Sequence, residues 1–206
     1  TCWGVSDPGF QRCAALERMC DSSSTSMTRW PIADKSHPGE RQVASDRPLV
    51  VIVILNWNNA PDTIECLESV GRLEYANYRV LVVDNGSTDD SVARISAAHP
   101  HIEVIETGAN LGYAEGNNIG IRHALRQEVD YMLLLNNDAQ LATDALNHLV
   151  SAAERYPEAA FLGPKILHRD GPGQIQSAGA RLDWFWRSHQ RGLDEEDRGQ
   201  FGALEE

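Results

Sequence analysis

In the segment YMLLLNNDAQ, Asp138 ends the NND that directly follows an apolar run, so an acid stands beside the neutral amides of Asn136 and Asn137. A single carboxylate delivered to the edge of an otherwise uncharged site suits a hard cation. Mg2+ or Mn2+ keeps several waters and takes only one or two protein carboxylates when phosphate oxygens fill the remaining positions. The other use for such an acid is to cap the next helix, an end that Thr143 and Asp144 already serve. Asp84 closes a second apolar run, YRVLVV, and there its carboxylate can accept from a pyrimidine imide N–H or a ribose hydroxyl. It too can cap a helix, one starting near Thr88, but Ser87, Thr88 and Asp89 do that equally well and leave Asp84 free for a ligand. In GANLGYAEGNNIG, Gly108, Gly112, Gly116 and Gly120 stand four residues apart. That is neither a GxGxxG nor a GxxxxGK[ST] phosphate cradle. Each glycine inside a helix costs about 1 kcal/mol relative to alanine and marks close backbone approach. Gly116 and Gly120 read as helix packing, and Asn110, Leu111 and Gly112 as a ligand-side loop.

These polar groups need elements that bring them together. LVVIVIL (49–55) is a continuous β-branched run of the kind found in a parallel strand buried on both faces. In PDTIECLESVGR, Pro61 suits a first helical position, and Ile64, Leu67 and Val70 share one face. The alternation repeats: YRVLVV (78–83) as strand, TDDSVARISAAH as helix, HIEVIE (101–106) as strand, GYAEGNNIGIRHALRQE as helix and YMLLL (131–135) as strand. ATDALNHLVSAAERY follows with Thr143 as N-cap and Leu146, Leu149 and Val150 inward, and AAFLGPKIL reads as the next strand. Strands alternating with helices give βαβ units and a parallel sheet, hence a Rossmann-like α/β fold. Ligands of such sheets bind beyond the carboxyl ends of the strands. The loops NWNN, DNGSTDD, TGANLGYAEGNN and NNDA should therefore share one crevice. Any one of them is also ordinary turn chemistry, since Asn, Asp, Gly and Ser serve αL positions and Asx-turns; four in succession, each after an apolar run, are harder to explain that way.

The remainder narrows the function classes. The chain has 206 residues, 42% of them hydrophobic and 23% charged, enough for one sizeable core. Thr1 to Pro48, rich in Ser, Asp, Arg and Pro, reads as a disordered leader before a domain at 49–206. With 18 Lys and Arg against 30 Asp and Glu, the net charge of -12 repels nucleic acid and anionic lipid at long range. Cys2, Cys13, Cys20 and Cys66 form no CxxC pair, and no secretory leader is visible, which points to a reduced, cytoplasmic setting. No apolar run spans a bilayer, so membrane contact, at its inner face, would be peripheral. His99 and His101 straddle Pro100 without a zinc pattern.

The segments VVIVILNWNN, LVVDNGSTDDS, NLGYAEGNNIGI and MLLLNNDA, in this order and spacing across roughly residues 49 to 165, resemble the family 2 glycosyltransferases of the GT-A fold, particularly the rhamnosyltransferase-like branch. The resemblance implies inverting transfer of a sugar from a nucleoside-diphosphate sugar, of the dTDP-rhamnose or UDP-sugar type, to a glycan or lipid-linked acceptor. Leu55, Asn56 and Asn58 would then lie near the nucleotide. Asp84 would meet the base, Asn85 and Ser87 would join it in binding the nucleotide sugar, and Asn110, Gly112 and Asn118 would border the donor pocket. Asn136 and Asn137 would lead into Asp138, which answers to the last acid of the family's DxD-type motif. Asn136 departs from that motif by standing in place of its first acid. The family's catalytic base belongs downstream of RGLDEEDRGQFG, so it is expected beyond Glu206, in a chain truncated at its acceptor half. The acidic run Asp194–Asp197 reads as a solvated loop. Trp184, Phe185 and Trp186 suit sugar stacking or core packing equally, and left exposed they would promote association. A nucleotidyltransferase would want a basic, Gly-rich loop where NWNNAPDT stands; a non-catalytic nucleotide-sugar-binding module is the other rival.

Overall fold

The computed structural model describes residues 47–171 and 173–202; the expected leader falls almost wholly outside the described residues. The described residues divide into two compact units, one holding 47–68 with Ala76–Gln140, the other Ser69–Tyr75 with the described residues from Leu141 on.

The first unit is a four-stranded parallel sheet, in the order β3-β2-β1-β4, with its helices between the strands. Chain order is β1 (Val50–Asn56), α1 (Ala60–Val70), β2 (Tyr78–Asp84), α2 (Ser91–Ala98), β3 (Glu103–Glu106), α3 (Gly112–Ala124) and β4 (Tyr131–Asn136). The βαβ reading of the sequence thus holds, and the β-branched run becomes the inner strand it was suited to be. Val50 to Ile54 are all at most 3% exposed, and each such side chain contributes about 1.5–3 kcal/mol by leaving water. Val51, Val53, Leu81 and Val83 meet Ala124 of α3 in one core, joined by Leu55, Ile105 and Ile119.

Close approach of α3 to the sheet depends on its glycines. A Cβ on Gly120 would collide with Val53 and stand 3.0 Å from Val83 Cγ2, and one on Gly116 would stand 2.7 Å from Leu55 Cδ1. Both positions are packing glycines, as their spacing predicts. Gly86 (φ +71°) is held against the backbone of Ala109, where no side chain fits.

Register decides what lies at the crevice end of the sheet. Asn56 pairs with Asp84, Asp84 with Glu106, and Leu55 with Asn136, so the strands run out level and their polar last residues form one row.

Several boundaries differ from expectation. Helix α1 begins at Ala60, one residue before Pro61. α2 begins at Ser91 instead of near Thr88, because Asp84 and Asn58 bind the backbone N–H groups of Ser87 and Thr88 and hold that stretch in the loop. Its cap position, Asp90, makes no side-chain capping bond.

The second unit contains α4 (Ala145–Arg155), β5 (Ile166–Leu167), β6 (Ile175–Ser177), β7 (Ala180–Leu182) and β8 (Ser188–Gln190). Thr143 is not the cap of α4; Asp144 holds that position, without a side-chain capping bond. Leu146 and Val150 of α4 are buried and Leu149 half-buried, the inward face expected. AAFLGPKIL does not form a further strand of the parallel sheet. Only Ile166–Leu167 pair, antiparallel to β6, since Gly163 and Pro164 interrupt any longer ladder. Ile175 is fully buried and exchanges backbone hydrogen bonds with Asp194 and Glu195. β7 and β8 form an antiparallel hairpin.

Candidate functional site

At the carboxyl ends of β1 and β2 the polar row becomes a hydrogen-bonded cluster. Asn56 is completely buried. Its amide nitrogen donates to Asp84 Oδ1 at 2.8 Å and lies 3.2 Å from Ser87 Oγ. Its carbonyl oxygen accepts from Thr63 Oγ1 at 2.8 Å. Asp84, 2% exposed, also accepts from Ser87 Oγ at 2.5 Å and from the Ser87 N–H at 2.9 Å. Both carboxylate oxygens are therefore engaged within the protein. The expectation that Asp84 stands free for a ligand is corrected: register places it opposite Asn56, and the following turn folds back over it. A buried carboxylate is sustained by donors of this kind, and here they all come from the loops it joins.

Asn58 bridges the same two loops from above. Its backbone is left-handed (φ +50°), a conformation Asn tolerates better than most residues. Its N–H donates to Ser87 Oγ at 2.9 Å, and its side-chain oxygen accepts from the Thr88 N–H at 2.8 Å. Unlike Asn56, Asn58 is exposed.

Asn85 performs the corresponding task toward the third loop. It is 3% exposed; its amide nitrogen donates to Asn110 Oδ1 (3.1 Å) and to the Gly112 carbonyl (3.2 Å), while its oxygen accepts from the Leu111 N–H (3.0 Å). Asn110 Oδ1 also accepts from the Gly112 N–H at 2.8 Å. Gly112 (φ +79°) has open space where a Cβ would stand, so the loop needs glycine there for its backbone conformation. Trp57, Leu111 and Tyr113, on or beside these loops, are 54%, 43% and 50% exposed.

The fourth loop joins through α1 and α3. Asn137 donates to Thr63 Oγ1 at 3.1 Å, and Tyr113 Oη donates to Asn136 Oδ1 at 2.9 Å. A turn closed by the Ala139 N–H on the Asn136 carbonyl leaves Asp138 exposed at its corner. Beneath it lies Cys66, whose buried thiol is 3.6 Å from the Asn136 carbonyl. Burial, with the charge of Asp138 as the smaller cause, pushes that thiol up to about 12, so it stays protonated at neutral pH.

Of the sequence-predicted residues, Asn56, Asn58, Asp84, Asn85, Ser87, Asn110, Gly112, Asn136 and Asn137 thus belong to one connected set. Leu55 directs its side chain into the core against Gly116. Asn118 lies outside the set, its amide donating to Glu115 Oε2 at 3.2 Å. Asp138 is a neighbour of the set by its loop. Thr63 was missed, although a polar residue in the stripe it shares with Leu67 and Val70 is a signal, as was Asn117, buried and bonded to the Tyr113 carbonyl at 2.9 Å. The acidic run behaves as a paired surface loop: Asp194 meets His168, Asp197 meets Lys165 and Glu196 meets Arg198. Among the described residues no three His, Cys, Asp or Glu side chains cluster to hold a metal by themselves.

Comparison with known proteins gives matches across this region. The N-acetylglucosaminyl-diphospho-decaprenol L-rhamnosyltransferase of Mycobacterium tuberculosis is 30% identical over 128 residues, covering 58% of this chain and 42% of that protein. The dTDP-rhamnosyl transferase RfbF of Shigella flexneri is 27% identical over 124 residues, covering 59% and 40% respectively. The chain thus spans less than half the length of these relatives. A solved mannosyltransferase from Pyrobaculum calidifontis, in complex with GDP-Man and Mn2+, aligns with a TM-score of 0.48 at 23% identity, over 59% of this chain and 36% of that one. The sequence profile of "Glycosyl transferase family 2" matches residues 51–203, nearly the whole of the chain after its first fifty residues, and the chain belongs to that family.

Proposed function

We propose that the strand-end cluster binds a nucleoside-diphosphate sugar, and that this chain is the donor-binding part of an inverting glycosyltransferase acting on a glycan or lipid-linked acceptor. The observation that carries this reading is the bracing of the crevice loops by one another. Asn56, Asp84 and Asn85 use their hydrogen-bonding capacity inside the protein, which leaves the side-chain amide nitrogens of the exposed Asn58 and Asn110 to face a donor from fixed positions. Preorganisation of this kind lowers the ordering cost of binding. Trp57, Leu111 and Tyr113 offer apolar surface that a base and a sugar ring can cover. Similarity to a dTDP-rhamnosyl transferase and a decaprenol-linked rhamnosyltransferase favours a dTDP-rhamnose or UDP-sugar type of donor.

The residues at the fourth loop fit Mg2+ or Mn2+ held chiefly by the donor's own phosphates. Asp138 supplies one exposed carboxylate, and Asn136 has its side-chain oxygen engaged by Tyr113. Bound there, a divalent cation offsets charge that develops on the departing diphosphate. In the transfer itself, the acceptor oxygen forms its bond to the anomeric carbon from the face opposite the breaking bond to the diphosphate oxygen. A base takes the acceptor proton; we assign none among the described residues, whose acidic run is spent on His168, Lys165 and Arg198. A cytoplasmic site of action, at the inner membrane face where lipid-linked acceptors are used, belongs to the same proposal. No described helix is long and apolar enough to cross a membrane.

Calorimetric titration of the folded chain with dTDP-rhamnose, UDP-sugars and GDP-mannose, each with and without Mn2+, tests the reading. Saturable binding of at least one donor, strengthened by Mn2+, is expected. No binding of any donor by a sample with native circular dichroism would overturn it.

A further inference from the structure

The hairpin of the second unit ends in three consecutive aromatics that its own fold does not bury. Trp184, Phe185 and Trp186 are 91%, 73% and 84% exposed. Their exposure does not come from a loose turn. Asp183 accepts the N–H groups of Phe185 (2.8 Å) and Arg187 (3.0 Å) on one oxygen, and meets Arg187 Nε (2.7 Å) and His189 Nε2 (3.0 Å) with the other. The Asp183 N–H donates to the Arg187 carbonyl, and the Trp186 N–H to the Asp183 carbonyl, both at 3.0 Å. His189 and the Arg187 groups hold the Asp183 carboxyl down at about 2, so it keeps its charge and its acceptors throughout the physiological range.

Charge around the tip opposes the charge of the chain. Arg181 and Arg187 stand in the hairpin against Asp183, with Arg187 paired to it, in a chain of net charge -12. The Arg187 guanidinium lies 5.3 Å from the centre of the Phe185 ring, behind the apolar tip. Three strand residues carry the tip roughly 10 Å from the base of the hairpin, about one Debye length at physiological salt, so charges at that base, the acidic run Asp194–Asp197 among them, are partly screened there. Area argues against a second copy as the occupant. The three side chains offer roughly 400–600 Å2, whereas a stable protein interface needs about 800 Å2 from each partner. An aromatic tip with arginines just behind it instead matches the layering of a bilayer surface, where Trp sits at the headgroup boundary and Arg meets anionic lipid.

We infer that the β7–β8 hairpin is a membrane-docking tip, inserting Trp184, Phe185 and Trp186 at the interface of an anionic bilayer with Arg181 and Arg187 against its headgroups. This stands apart from the donor-binding proposal, since it uses no residue of the crevice and its assay contains no nucleotide sugar.

The test is flotation of the whole chain with phosphatidylcholine vesicles, alone or containing phosphatidylglycerol at about one third. Wild type is expected to float with the anionic vesicles only. The triple variant W184A/F185A/W186A should lose about tenfold or more in partitioning, as insertion scales with buried apolar area. R181Q, which leaves Asp183 and the turn intact, should lose about fivefold, and added salt should weaken wild-type binding. Absence of wild-type flotation, or equal flotation of wild type and both variants, overturns the inference. So does light scattering in which the triple variant turns a lipid-free oligomer into a monomer, or unchanged flotation of the triple variant with lost affinity for a soluble oligosaccharide; these assign the tip to self-association or to glycan stacking.

Discussion

Replacing Asp84 with alanine removes the one carboxylate that ties the loop after β1 to the loop after β2. Three contacts go with it: the Asn56 amide at 2.8 Å, the Ser87 hydroxyl at 2.5 Å and the Ser87 N–H at 2.9 Å. The site is 2% exposed, so water does not simply take over. Asn56 keeps Ser87 Oγ within 3.2 Å, and the hydroxyl can turn, which leaves about two donors stranded at about 1–3 kcal/mol each. The expected loss is thus about 2–6 kcal/mol, or about 4–24 °C in melting temperature for a chain of this size. Thermal unfolding followed by circular dichroism, with urea titration as a second measure, reads it directly. Asp84→Asn keeps the shape and one acceptor but sets an NH2 group against donors, so it should fall between wild type and Asp84→Ala. A loss below about 1 kcal/mol for alanine would refute the bracing role. It would return Asp84 to the position of a side chain held ready for a ligand, as would an Asp84→Asn variant of unchanged stability and lost donor affinity.

Gly120→Ala should cost about 1–2 kcal/mol in urea titration, because overpacking against Val53 and Val83 outweighs a helix-propensity gain of about 1 kcal/mol. Asp138→Ala should reduce the Mn2+-dependent part of donor affinity about tenfold or more by calorimetry, with a melting temperature unchanged within about 1 °C because the side chain is exposed. At pH 8 the Cys66 thiol, held up to about 12, should resist alkylation in the native chain and react once urea unfolds it, as read by mass spectrometry of its peptide. The native state holds this proton more tightly than the unfolded chain does. The Cys66 contribution is therefore complete below about pH 9 and is lost as pH rises toward about 12.

Sequence patterning carries the sheet well because β1 and the VLVV part of β2 are mostly β-branched runs with no polar interruption, and such runs have few alternatives to a buried parallel strand. It carries the last expected strand badly: AAFLGPKIL looks apolar enough, but Gly163 and Pro164 stop the ladder, and Phe161 is left 85% exposed. The candidate site divides in the same manner. That the loops at these strand ends would meet follows from strand order: Asn56, Asn58, Asp84, Asn85 and Asn110 join three of them, and Asn137 of the fourth is bonded to Thr63. Which of these would support and which would face outward does not follow, since Asn56 and Asn58 are the same residue two positions apart. Register buries the first opposite Asp84, while a left-handed backbone lifts the second over Ser87. Thr63 depends on how α1 lies beside β1, which no spacing within its own helix reveals.

The order β3-β2-β1-β4 also sets a timetable for the chain on the ribosome. β1 finds β2 a short distance along the chain, but its other edge waits for Tyr131–Asn136. Synthesis at about 5–20 residues per second needs roughly 3–10 s to cover the stretch from Asp84 to Asn136. Throughout that interval the unpaired edge of VVIVIL, flat and uncharged, is open to strands of other nascent chains. Conditions that slow elongation between these two points should therefore lower soluble yield more than equal slowing after Asn136.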